Sequence, residues 1–271
     1  MRALLLLLAL CSMAHADERA CDRARSTSLS DGPVVIGLYD ADLGAGLSAC
    51  LRREVSLYER AGAIYDVKGL YGDIRADTLL NGIFPLGHHV ALLATIEVVH
   101  YELVVNSIVK AHALGLGQST LGLAGRVLET SRFALTAYGR ALVPTDASNT
   151  TVQTTGLDAG VTGTFRPRRD IELHAQLDGD FTVGLADGPS SARGGATVLV
   201  GAQYSPARWF GVVVDVGAMF GHRGAFDAFL PSLGLRFRVW RGIGLELDAV
   251  APVAGAERRL ALAALHLHFR F

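Results

Sequence analysis

The sequence predicts an all-β chain, a transmembrane antiparallel up-and-down barrel of about 12 strands, and three observations predict it. The chain ends in an alternating strand, residues 260–271 (LALAALHLHFRF), with Ala261, Ala263, Leu265, Leu267, Phe269 and Phe271 on one face and His266, His268 and Arg270 on the other. A strand with that pattern has one apolar side and one charged side. Hydrophobic residues make up 50% of the 271 positions and mean hydropathy is +0.32, yet no stretch of roughly 18 residues is apolar throughout, so the apolarity is not gathered into helical spans. Strand-like segments recur from residue 46 onward, joined by connections that are alternately short and long, the regularity of membrane barrels with short turns on one rim and loops on the other.

A terminal aromatic, with a second aromatic two residues earlier on the same apolar face, resembles the closing strand of bacterial outer-membrane β-barrels. The resemblance implies Phe269 and Phe271 as an insertion signal, with the barrel assembly machinery and outer-membrane lipids as partners. The other end agrees. Residues 1–16 carry a basic start at Arg2, a short apolar run over residues 3–10, and the small-x-small triplet Ala14, His15, Ala16, which together read as a secretory signal peptide. That run is too short to span a bilayer, which needs about 20 apolar residues, and Leu10 before Cys11 is too large for a good lipoprotein cleavage site. The expected organisation is a signal peptide (1–16), an N-terminal periplasmic segment or plug (17–45), and a transmembrane barrel (46–271) in the outer membrane of a Gram-negative cell.

Composition excludes other classes. A formal net charge of −1, from 25 Lys+Arg against 26 Asp+Glu, offers no electrostatic footprint for nucleic acid. Of the 3 cysteines, Cys11 leaves with the signal, and Cys21 and Cys50 would meet an oxidising periplasm, so a disulfide closing the N-terminal segment is expected over two idle thiols. No cofactor or metal is called for. The oiliest stretch, residues 90–105 (VALLATIEVVHYELVV), is interrupted by Glu97, His100 and Glu102 and rich in β-branched residues, so it reads as a strand.

The short connections fall at residues 85–88, 129–131, 166–170, 206–209 and 240–242, and the long ones at 104–116, 144–153, 185–194, 221–228 and 252–258. The first strand lies somewhere within residues 46–67. In residues 233–240 the lipid set is Leu233, Leu235, Phe237 and Val239, with Arg236 and Arg238 inward. Residues 243–249 turn Ile243, Leu245, Leu247 and Ala249 outward and Glu246 and Asp248 inward. The last strand turns His266, His268 and Arg270 inward, so an acidic strand sits between two basic ones and charges can pair across neighbours. Residues 171–183 place Glu172, His174, Gln176, Asp178 and Asp180 in the lumen against Ile171, Leu173, Ala175, Leu177, Phe181 and Val183. Trp209 and Trp240, near strand ends, suit an interfacial aromatic girdle. A soluble β-sandwich would also alternate; the signal peptide, terminal Phe and loop alternation favour the barrel.

Residues 115–143 (GLGQSTLGLAGRVLETSRFALTAYGRALV), followed by Pro144, Thr145 and Asp146, resemble outer-membrane proteins of the phenol meta-pathway type, a family of transporters. Gly115, Gly117, Leu121, Gly122, Arg126, Pro144 and Thr145 match the family pattern; Gln118 replaces its usual Asp, and the Gly before the final Asp is absent. The resemblance implies an outer-membrane transporter and transfers no catalytic residue. The glycines themselves let a curved sheet bend and leave lumen space. They are no dinucleotide fingerprint, since no βαβ unit follows.

The functional expectation is a passive, porin-like channel or uptake protein for small solutes, hydrophobic or aromatic ones included, whose lumen residues tune selectivity. The alternative is a closed structural or adhesive barrel filled by its own side chains. An envelope lipid-modifying enzyme is the weaker third reading, because Ser131 and Ser205 have no assignable His partner. His266 and His268 with Asp248 could bind a metal, but polar pairing with Glu246 or Asp248 is the simpler expectation. His88 and His89 fall in a short turn, His222 in a loop, and the Asn149, Thr150, Thr151 triplet is an accidental glycosylation match.

Overall fold

Alternation makes these residues strands, and closure of the sheet makes them a barrel. The structure, a computed structural model, describes residues 20–21, 47–65, 71–106, 110–145, 154–185, 192–221, 226–251, 253–254 and 260–270. The signal peptide, most of the segment 17–45, His222, the Asn149 triplet and Phe271 lie outside the described residues.

The strands are β1 (Glu54–Tyr65), β2 (Tyr71–Pro85), β3 (Val90–Asn106), β4 (Lys110–Gly115), β5 (Ser119–Glu129), β6 (Phe133–Val143), β7 (Thr154–Phe165), β8 (Ile171–Gly184), β9 (Ala192–Ala207), β10 (Phe210–Phe220), β11 (Phe226–Trp240), β12 (Ile243–Val250) and β13 (Leu260–Arg270). They form one antiparallel sheet in chain order, closed by pairing of β1 with β13 from Glu54↔Arg270 to Ile64↔Leu260. Twelve strands make the wall, and β4 is extra, hydrogen-bonded to the far end of β3. Closure removes the edges that a membrane cannot tolerate.

The expected long loop at residues 104–116 is mostly strand. β3 continues to Asn106, and β4 returns along it in the register that β5 then keeps, His100↔Gly115 being in line with Ile96↔Ser119. β9 and β11 likewise begin at Ala192 and Phe226, inside the stretches read as loops. Glycine and serine content suggested loops there, but a neighbouring strand supplies hydrogen bonds that outweigh local propensity. The chain breaks only at residues 116–118. There Glu97 folds its carboxylate over Gly117, where a Cβ would overlap it, and accepts the Gln118 N–H at 2.9 Å. The tight turn at Arg241 and Gly242 uses glycine for its φ of 77°, a left-handed conformation that side chains disfavour.

Burial is inverted relative to a soluble protein. Leu123 (53% exposed), Leu157 (64%), Leu177 (51%) and Val239 (63%) face outward, while Glu172, His174, Arg236, Glu246 and His266 are each less than 5% exposed on the inner face. Apolar side chains outside and charges inside suit a wall facing lipid and exclude the sandwich, whose apolar residues would be inside. Trp209 and Trp240 are 60% and 72% exposed at the rim of short turns.

Candidate functional site

The lumen is the candidate site, because alternation delivers every second side chain of each strand into one enclosed space. Near the short-turn rim, Arg236 of β11 and Glu246 of β12 are Cα partners. Nε of Arg236 donates to Glu246 Oε1 at 2.8 Å and its Nη1 to Gln203 Oε1 at 2.6 Å. Across β13, His268 lies 3.3 Å from Glu246 and 2.6 Å from Glu54 of β1, whose other oxygen accepts from Arg270 at 2.7 Å. His266 is 3.2 Å from Asp248 and its ring packs on Tyr58 with centroids 3.9 Å apart. The charged pairs among them span four adjacent strands, β11, β12, β13 and β1.

A second group joins β8 to its neighbours. His174 meets Asp215 at 2.6 Å and Glu172 at 3.7 Å, and Glu172 also pairs with Arg166 from the β7–β8 turn. Gly201, beside the His174–Asp215 pair, has no room for a Cβ: it would stand 2.7 Å from His174 Nε2 and overlap Asp215. Further along, the Tyr138 hydroxyl donates to Asp178 at 2.6 Å and Arg140 to Asp158 at 2.8 Å. Asp178, Asp180 and Arg238 are half-buried on the same inner face. Ser205 accepts from Gln203 at 3.0 Å.

One cluster was not legible in the sequence. Arg60 pairs with Asp77 at 2.5 Å, and Nδ1 of His100 lies 2.8 Å from Asp77 and 3.0 Å from Glu97. Residues 97 and 100 are three apart and would face opposite ways on a regular strand. A register shift between Thr78 and Leu79 inserts one extra residue in β3, turning both inward. Asp77, Glu97 and His100 bring three ligand atoms within 4.8 Å of one another, enough to hold a divalent cation, although Arg60 already supplies positive charge there.

The N-terminal residues dock inside the wall. Cys21 and Cys50 are disulfide-bonded with Cα atoms 5.3 Å apart. Thr136 Oγ1, on the inner face of β6, donates to the Ala49 carbonyl at 2.7 Å, and Arg166 Nη1 donates to the Ala20 carbonyl at 2.9 Å. The Ala20 and Cys21 N–H groups donate to Thr130 O at 2.9 Å and Glu129 Oε1 at 3.2 Å. The inner wall carries apolar residues among its charges, Leu199, Val213 and Leu230 among them, and β3, β5 and β6 present Ala91, Leu93, Ala124 and Ala134 inward. Leu47 and Leu51 cover the first three with Tyr138, and Ala20, Ala49 and the disulfide cover Ala134.

A closed antiparallel barrel, apolar without, charged within and turned tightly at one rim, has the porin-like fold of outer-membrane β-barrels. No family model and no curated protein matches this chain. Among solved structures, the chain is similar to an outer-membrane channel from Pseudomonas putida F1, with a TM-score of 0.64 at 11% identity over 88% of this chain and 100% of that one. It is also similar to the translocator domain of the autotransporter NalP from Neisseria meningitidis, with a TM-score of 0.56 at 13% identity over 81% and 88%. For the KdgM porin in complex with disordered oligogalacturonate the TM-score is 0.51 at 9% identity over 80% and 99%. At such identities the likeness establishes the fold.

Proposed function

We propose that the protein is a passive channel of the bacterial outer membrane whose resting lumen is occupied by its own N-terminal segment. It has no catalytic step. The observation that carries this reading is the fit between that segment and the wall: Leu47, Leu51 and the disulfide pack against inward Ala and Leu side chains of β3, β5 and β6. A wall built for open water would gain nothing from apolar residues at those positions. The solutes are small molecules, hydrophobic or aromatic ones included.

The pairing of Arg236, Glu246, His268, Glu54 and Arg270 into one chain of contacts favours a second reading, a closed structural barrel. Single-channel conductance in planar bilayers separates the two. The refolded mature chain should show small steps, and a variant lacking residues 17–50 larger ones. Silence from both, with folding confirmed by heat-modifiable electrophoretic mobility, would leave the closed barrel.

A further inference from the structure

From the short-turn rim of the barrel we infer a binding site for a small, multiply charged anion carrying carboxylate or phosphate groups. A cavity of about 520 Å³ opens there, lined by Arg52, Arg53, His88, Arg126, Arg238 and Arg270 with no acidic residue among its lining side chains. The arginines come from four places in the chain, the segment before β1 and the rim ends of β5, β11 and β13, and His88 is added from the β2–β3 turn. Their convergence is a product of closure, since residues 52 and 270 become neighbours only when β13 pairs with β1.

The cavity lies within the size range of small-molecule sites. Guanidinium groups present planar, paired donors that fit carboxylate and phosphate oxygens two at a time. Several of these groups are held in place rather than left to wander. Arg270 is fixed by Glu54 at 2.7 Å, Arg126 by Glu129 at 2.6 Å, and Arg52 by its bond to the Cys21 carbonyl at 3.1 Å. Arg53 makes no ion pair among the described residues and is exposed. Like charges brought together around one space repel, and an anion within it would relieve that repulsion. Bound there, the anion would sit beside Leu51 and Arg52, at the foot of the N-terminal segment.

The test needs no conduction, so its failure and that of the channel reading are separate results. Gly87 lines the cavity, and a Cβ there would meet nothing within 4 Å. Gly87→Glu therefore adds a carboxylate without disturbing the existing pairs, and Gly87→Gln adds the same bulk without charge. Citrate and inorganic phosphate would be titrated calorimetrically into the refolded protein in zwitterionic nanodiscs. Saturable citrate binding that weakens with added salt, survives Gly87→Gln and drops about tenfold or more in Gly87→Glu and Arg53→Glu is expected. No binding up to about 10 mM, or equal binding in both Gly87 variants, overturns the site. Citrate binding that disappears when the discs contain phosphatidylglycerol would assign the cavity to a lipid headgroup and overturn the soluble-anion assignment.

Discussion

Removing Arg236 tests whether the lumen is packed or wet. Arg236 is 1% exposed, and its guanidinium holds Glu246 at 2.8 Å and Gln203 at 2.6 Å. Arg236→Ala would leave Glu246, itself 3% exposed, without its arginine partner but still beside His268 at 3.3 Å. Breaking a buried pair from one side costs about 3–5 kcal/mol, because the surviving charge stays desolvated. The retained His268 contact sets the expectation at the lower end, about 3 kcal/mol. In a water-filled lumen the same substitution would cost about 1 kcal/mol or less, as for an exposed pair. Arg236→Met with Glu246→Leu removes both charges and should recover most of the loss, since well-packed apolar replacements of buried pairs are often neutral. The assay is equilibrium urea unfolding from lipid vesicles followed by tryptophan fluorescence. A loss below 1 kcal/mol for Arg236→Ala, or a double variant no more stable than the single one, would refute the packed lumen.

Gly201→Ala should destabilise by about 1–3 kcal/mol, the range for overpacking, because the new methyl group displaces the His174–Asp215 pair; unchanged unfolding would mean the pair relocates freely. On the outer face, Leu177→Arg, in mid-β8 and 51% exposed, should cost about 2–4 kcal/mol in vesicles, whereas Asp178→Asn next to it, facing the lumen, should cost far less; equal losses would contradict the assigned faces. Trp209 and Trp240, the 2 tryptophans of the chain, both lie at the short-turn rim, so lipids brominated near the headgroup should quench emission more than lipids brominated at the chain end. The reverse order would move that rim into the hydrocarbon.

The strand faces were legible because alternation is a local property: Leu233, Leu235 and Val239 against Arg236 and Arg238 can be told apart without knowing any neighbour. Loop lengths were less legible. Residues 110–115 look like loop in isolation and become strand because β3 extends to meet them. The Arg60, Asp77, Glu97 and His100 cluster was hidden for a different reason, since a single inserted residue at position 98 reverses which side chains share a face. Leu47 and Leu51 carried no signal either, as two leucines before a strand are unremarkable until the apolar patch they cover is assembled.

What the sequence by itself determined is the class of architecture and which side of each strand meets lipid, because both follow from a two-residue period and the solvation of each side chain. Only the tertiary structure decided which lumen charges meet, where the N-terminal segment rests and that the rim arginines gather around one cavity. Those depend on the register between strands and on closure of β13 against β1, which bring together residues 200 and more positions apart that no local pattern connects.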